Sequence, residues 1–165
     1  MTGGQTPEQR ARVQIDAQLE RAGWIIQDRT ALNLAAGQGI AVREVPMGDG
    51  IVDYLLYVGK RIVGVIEAKK GGVTLAEVHS QAMRYASSLT AAQKLNAVTV
   101  DDRLPFVYES NSSELFFTNH YEPNARSRRI FNFQRPTALA GYIRDAEAAP
   151  GNSTWRARVH HLPNT

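Results

Sequence analysis

Residues 51–70 read "IVDYLLYVGKRIVGVIEAKK". Two β-branched, apolar runs of strand length, "IVDYLLYV" (51–58) and "IVGVIEAK" (62–69), flank Gly59-Lys60-Arg61. A three-residue connection containing glycine predicts a hairpin. Centring the turn on Lys60 sets Val58 against Ile62 and Tyr57 against Val63, and the same register sets Asp53 against Glu67. Directly opposed residues project to one face, with Cβ atoms about 4.5–5.5 Å apart. Side chains alternate along a strand, so Lys69 joins Glu67 on that face. The stretch therefore predicts two acids and a lysine converging at one end of a hairpin. A loop of two or four residues would send the acids to different faces.

Opposed like charges destabilise a sheet unless something compensates. A divalent cation does so. Mg²⁺ takes hard oxygen ligands, usually one or two carboxylates with water. Bound beside a phosphodiester, it polarises a phosphoryl oxygen and acidifies a water. Lys69 would then orient that water or offset charge building on the phosphate. These are the needs of phosphodiester hydrolysis. A solvated Glu–Lys pair at a strand end has the same letters, so the motif acquires meaning only from its context.

That context extends both ways. Thr6-Pro7-Glu8-Gln9 marks a helix start, with Thr6 as N-cap, Pro7 in the first turn and Gln9 closing a capping box. The helix ends at Gly23, and "WIIQDR" (24–29) predicts a short strand. "LNLAAGQGIAVREVPMGDG" (32–50) reads as a loop with a short extended piece at 40–45. After the hairpin, Thr74 and Glu77 form a second capping box, and Leu75, Val78, Ala82, Tyr85 and Leu89 recur at helical spacing. "AVTV" (97–100), "PFVYES" (105–110) and "ELFFTN" (114–119) predict strands, with a turn at 110–113. Residues 136–149 predict a last helix and the tail reads as irregular. The order is that of an α/β protein, a central sheet flanked by helices.

Gln81 and Tyr85 lie four apart, on one helix face. Gln81 can donate to a phosphate or base edge and Tyr85 can stack or hydrogen-bond; equally, Tyr85 can fill the core with Gln81 at its boundary. His79 reads as a surface residue. His120, His160 and His161 lack metal-ligand spacing with partner acids and read as structural or solvated. Arg126, Arg128 and Arg129 read as loop arginines, either solvated or tracking a nucleic-acid backbone.

The chain has 165 residues, 43% hydrophobic and 21% charged, and fits one soluble domain. It contains no cysteine, which excludes disulfides and thiolate metal sites and suits a cytoplasmic location. Its N-terminal residues lack the apolar core of a signal peptide, and no apolar run approaches the roughly 20 residues that span a bilayer. The net charge of +3 permits a polyanionic partner without requiring one.

Asp53, then Glu67-Ala68-Lys69, then Gln81-x-x-x-Tyr85 resembles the PD-(D/E)XK nuclease signature with its Q-x-x-x-Y element. The version is similar to the N-terminal nuclease domain of the R (restriction) subunit of type I restriction enzymes. "EQRARVQIDAQLERAGW" (8–24) resembles that family's opening helix, "VDYLLYVGKRIVGVIEAKK" its catalytic hairpin, "QAMRYA" (81–86) its next helix and "PFVYESN" (105–111) the following strand. The likeness runs over about residues 7–145.

The resemblance implies a restriction-endonuclease-like core and one nuclease domain over residues 1–165, with 146–165 a tail or linker toward an absent motor domain. It implies Mg²⁺, with Mn²⁺ able to substitute, held by Asp53, Glu67 and the Ala68 carbonyl. Glu8 matches an acidic position that related nucleases use near the metal. Lys69 would be the catalytic lysine, and Gln81 and Tyr85 would support DNA positioning or cleavage. The partners implied are double-stranded DNA and the methyltransferase and specificity subunits of the parent complex, with no membrane. Val52 stands where the family has a proline, and Asp49 in "GDG" is a rival ligand should the register slip. The chain has no G-x-x-x-x-G-K-[ST] loop, so ATP use belongs to the parent's motor domains. A repair or junction nuclease of the same fold, and a non-catalytic DNA- or subunit-binding module, remain open alternatives.

Overall fold

The computed structural model describes residues 4, 6–68, 74–111 and 113–149. Lys69, His160, His161 and residues 150–165 of the expected tail lie outside the described residues, while its first residues, 146–148, are helical and not a linker. The opening hairpin forms as strands β3 (Gly50–Val58) and β4 (Arg61–Ala68). Its turn corrects the predicted register. Val58 pairs with Arg61 and Tyr57 with Ile62, so the loop is the two residues Gly59 and Lys60. Both have positive φ, 56° and 69°, as the right-handed twist of a two-residue hairpin demands.

A two-residue loop alone would turn Glu67 to the wrong face. A β-bulge prevents this. Beyond Tyr57 the register shifts, Val63 is the extra residue, and Leu56 pairs with Gly64, Leu55 with Val65 and Tyr54 with Ile66. The bulge restores the register that a three-residue loop would have produced. Packing shows the switch directly. Val63 and Ile66 enter one core cluster with Tyr54, Leu56 and Val58, whereas Ile62 and Val65 enter the other with Leu55.

Seven strands make one mixed sheet whose spatial order is the chain order. The others are β1 (Ile25–Asp28), β2 (Gly39–Met47), β5 (Phe106–Ser110), β6 (Leu115–Asn119) and β7 (Arg128–Ile130). The β1–β2 and β4–β5 pairs are parallel and the remaining pairs antiparallel. Strand β2 is longer than the extended piece expected at 40–45: its glycine-rich approach and Pro46 disguise a central strand. Pro46 is tolerated because it lies next to the hairpin turn, paired with Ile51. The predicted strand at 97–100 contributes only single bridges, Ile62 to Ala97 and Val100 to Arg103. Strand β7 takes Arg128 and Arg129 out of the expected loop.

Four α-helices and a single 3₁₀ turn at Arg29–Ala31 complete the described chain. Helix α1 (Pro7–Arg21) and helix α2 (Leu75–Ala86) start at the capping boxes predicted at Thr6–Gln9 and Thr74–Glu77. A third box, Thr90 with Gln93, opens the short α3 (Ala91–Lys94), and α4 (Pro136–Ala148) follows Arg135. Ile15 and Leu19 of α1 pack with Leu139 and Ile143 of α4 in the core on one face of the sheet. Ala82, Tyr85 and Ala86 of α2 fill the core on the other, with Leu89 just beyond the helix. The chain is thus a three-layer α/β/α domain. Among the described residues no helix is long and apolar enough to cross a membrane.

Candidate metal and nuclease site

The bulged hairpin brings Asp53 and Glu67 together. The Asp53 N–H donates to Glu67 Oε1 at 3.0 Å. The Ala68 N–H in turn donates to Asp53 Oδ2 at 2.7 Å. Each acid is therefore held through the other strand's backbone, and both are buried, Asp53 at 6% and Glu67 at 2% exposure. Bonds from backbone amides to carboxylates are short, charge-assisted and directional. A carboxylate has about four lone-pair sites, so one amide bond does not exhaust it as a ligand.

Helix α2 lies across this end of the sheet. Gln81 Nε2 donates to the Tyr85 hydroxyl at 3.0 Å. Tyr85 is 6% exposed and belongs to the core on that face. The two readings of this pair therefore combine: Tyr85 is a core residue whose hydroxyl holds half-buried Gln81. Beyond the helix, the Gly48 N–H donates to the Ser88 carbonyl at 2.6 Å, fastening the β2–β3 turn to it. Asp49 is exposed in that turn, as its turn reading requires. Glu8 is exposed in the first turn of α1, the helix packed on the opposite face.

Sequence reasoning missed a third acid. Glu109 on β5 is the register partner of Glu67, is 2% exposed, and meets His79 Nδ1 at 2.6 Å through Oε1. Ser127 Oγ donates to its Oε2 at 3.1 Å. The signal was present in "PFVYES", a strand carrying one acid near its end, but only the parallel β4–β5 pairing places that acid beside Glu67. His79, read as a surface residue, is the partner that a buried carboxylate needs. His120 is buried rather than solvated.

The donor set fits a hard cation. Asp53, Glu67 and the Ala68 carbonyl supply only oxygen, and Mg²⁺ characteristically takes one or two carboxylates and keeps its waters. Among the described residues no group of three His, Cys, Asp or Glu side chains is placed to hold a metal, so Glu109 and His79 are not part of an all-side-chain cage.

A mixed-sheet α/β/α domain with two backbone-locked acids at a hairpin end is the class defined by this geometry. The family model described as the second domain of the type I restriction enzyme EcoKI endonuclease subunit matches residues 29–140, and the chain belongs to that family. The EcoKI endonuclease subunit of Escherichia coli (strain K12) is 31% identical over 90 residues, which cover 48% of this chain and 8% of that subunit. A solved fragment described as an HsdR subunit of a type I restriction enzyme from Vibrio vulnificus YJ016 has the same fold. Its TM-score is 0.57 at 18% identity, over 85% of this chain and 25% of that one. The chain thus spans a small part of the curated relative it matches.

Proposed function

We propose that this chain is a Mg²⁺-dependent endonuclease module of the PD-(D/E)XK type, cleaving phosphodiester bonds of double-stranded DNA within a type I restriction R subunit. The observation that carries the reading is the reciprocal lock between Asp53 and the Glu67-Ala68 segment. Two acids buried at one point cost stability in a structure that has no use for them. Family membership supports the setting, because the matched relative is an endonuclease subunit.

Asp53 and Glu67, with the Ala68 carbonyl, would hold the ion; when bound, Mg²⁺ supplies Lewis-acid polarisation and an acidified water. The amide bonds from Asp53 and Ala68 keep the two carboxylates from rotating away, so the ligands are set before substrate arrives. Lys69 follows directly and carries the ammonium that the reading assigns to the attacking water or the phosphate. Gln81, braced by Tyr85, is the polar group of α2 nearest in role to a phosphate or base-edge donor. In the parent assembly, site choice would fall to a specificity subunit, modification to a methyltransferase subunit and ATP use to the motor domains.

The test is plasmid cleavage with Mg²⁺ or Mn²⁺ by the wild-type chain, Asp53→Ala and Lys69→Ala. Asp53→Ala loses metal binding and cutting, while Lys69→Ala keeps metal binding and loses cutting. Equal nicking by all three would assign the activity to a contaminant and leave a DNA- or subunit-binding module. A strong preference for branched over linear duplex would favour a repair nuclease of the same fold.

A further inference from the structure

Glu109 is a buried carboxylate that the nuclease reading does not use. It stands beside Glu67 in the parallel register, so both project to the face covered by α2. Both its oxygens are engaged, one by His79 Nδ1 and the other by Ser127 Oγ. A buried acid that served the sheet alone is commonly outperformed by an apolar residue of similar size. This one orients an imidazole. The 2.6 Å contact fixes the orientation of the ring, with Nδ1 turned to Glu109. Nε2 is then the ring nitrogen not engaged by Glu109, on a side chain that is 43% accessible.

The course of α2 sets where that nitrogen stands. One part of the helix is fastened over β5 by His79–Glu109. Its C-terminal part reaches the start of β3, where a Cβ on Gly50 would come within 2.9 Å of the Tyr85 hydroxyl. Strand β4, carrying Glu67, runs between β3 and β5. The Gln81–Tyr85 pair therefore stands over the start of β3, the strand of Asp53, and His79 over β5, the neighbour of the strand that carries Glu67.

We propose that His79, aimed by Glu109, contacts a backbone phosphate of the DNA strand held over Asp53 and Glu67; the proposal rests on the nuclease reading above. In its imidazolium form the ring donates Nε2–H to a phosphate oxygen while Nδ1–H remains on Glu109. Glu109 is a positioning residue, acting through the imidazole. Contacts of this kind fix the register of a backbone without reading sequence.

The test uses the full chain with a double-stranded oligonucleotide. Binding is measured in Ca²⁺ across a salt series, cleavage in Mg²⁺, and melting temperature without DNA. The variants are His79→Gln, Glu109→Gln and Asp53→Ala. His79→Gln is expected to weaken DNA binding about tenfold, as loss of one charge-assisted bond does. It should also reduce the salt slope by about one, a change that a merely structural role would not produce. Glu109→Gln keeps the imidazole but loosens its aim, and should lower the cleavage rate more than the affinity. Unchanged affinity, salt slope and cleavage in His79→Gln, with wild type cutting and Asp53→Ala inert, overturns the His79 contact and leaves the nuclease reading standing. A wild type that binds but never cuts, with His79→Gln still weakened, sinks the nuclease reading and keeps the contact. If His79→Gln lowers only the melting temperature, the dyad is structural and the proposal fails.

Discussion

The Tyr85 hydroxyl occupies the space that a side chain on Gly50 would need: a Cβ built there lies 2.9 Å from it, and Gly50 has φ of 147°. Both facts exclude other residues, the first by overlap with a buried ring and the second by backbone conformation. Gly50→Ala is expected to cost about 2 kcal/mol in chemical denaturation, combining strain with overpacking. Adding Tyr85→Phe removes the contacted oxygen, so the double variant should be less destabilised than the sum of the singles. Strict additivity would show that the hydroxyl does not meet the new methyl. The same crowding displaces Gln81, so cleavage should fall by more than stability alone explains.

The hairpin offers a second test, and it bears on what could be read from the sequence. The expected opposition of Asp53 and Glu67 is found, although the turn is two residues rather than three, because Val63 is inserted as a bulge. Nothing in "RIVGVIE" distinguishes a bulged strand from a regular one, since every residue in the run suits either face. Deleting Val63 removes only the unpaired residue, so Gly64 follows Ile62 opposite Leu56 and Glu67 stays opposite Asp53; the variant should keep the fold and the acid pair and lose only the packing of Val63. Inserting one glycine between Val65 and Ile66 should instead turn Ile66 and Glu67 to the wrong faces and prevent stable folding. Circular dichroism and cation-linked melting decide the matter: a deletion variant as unstable as the insertion variant would mean that the bulge has a role beyond register.

Local chemistry was legible where it is local. Thr6–Gln9 and Thr74–Glu77 are complete within four residues, and both helices begin there. Strand β2 was legible only in part, because Gly39 and Pro46 are tolerated through neighbours on both sides rather than through its own sequence. Glu109 could not be assigned to the site from the chain alone. Its place beside Glu67 depends on a parallel crossover that passes through α2 and α3, and long-range pairing leaves no periodic trace.

Asp16 joins α1 to the sheet, with Oδ1 accepting from the Tyr54 hydroxyl at 2.5 Å and Oδ2 meeting Arg43 at 2.5 Å. Burial pushes the Tyr54 hydroxyl well above the usual tyrosine range, and the bond to Asp16 pushes it the same way. A group whose folded pKa is raised contributes stability that is complete below its unfolded pKa, about 10 for tyrosine, and is lost as pH rises toward the folded value. Denaturation midpoints should hold up to about pH 10 and fall above it. Tyr54→Phe should be less stable near neutrality, by about 1 kcal/mol for the lost bond, yet decline less steeply in alkali. An equally steep decline in the variant would move the alkaline transition to another group.

The acid pair makes the sharpest prediction about stability and function together. Asp53→Asn keeps an oxygen for the Ala68 N–H while removing one of two neighbouring buried charges. Without divalent ions the variant should melt close to wild type, since the bond from the Ala68 N–H is kept. With Mg²⁺ or Mn²⁺ the two should diverge. An ion that binds the folded state alone stabilises by RT ln(1 + [L]/Kd), about 2.7 kcal/mol at a hundredfold excess over Kd. Wild type should gain this increment, rising with ion concentration, and Asp53→Asn should gain little. Glu67→Gln should behave alike, although its loss also weakens the bond from the Asp53 N–H. A melting temperature that rises equally with Mn²⁺ in all three chains would show that the ion binds elsewhere, and that these two carboxylates serve the hairpin and not a cation.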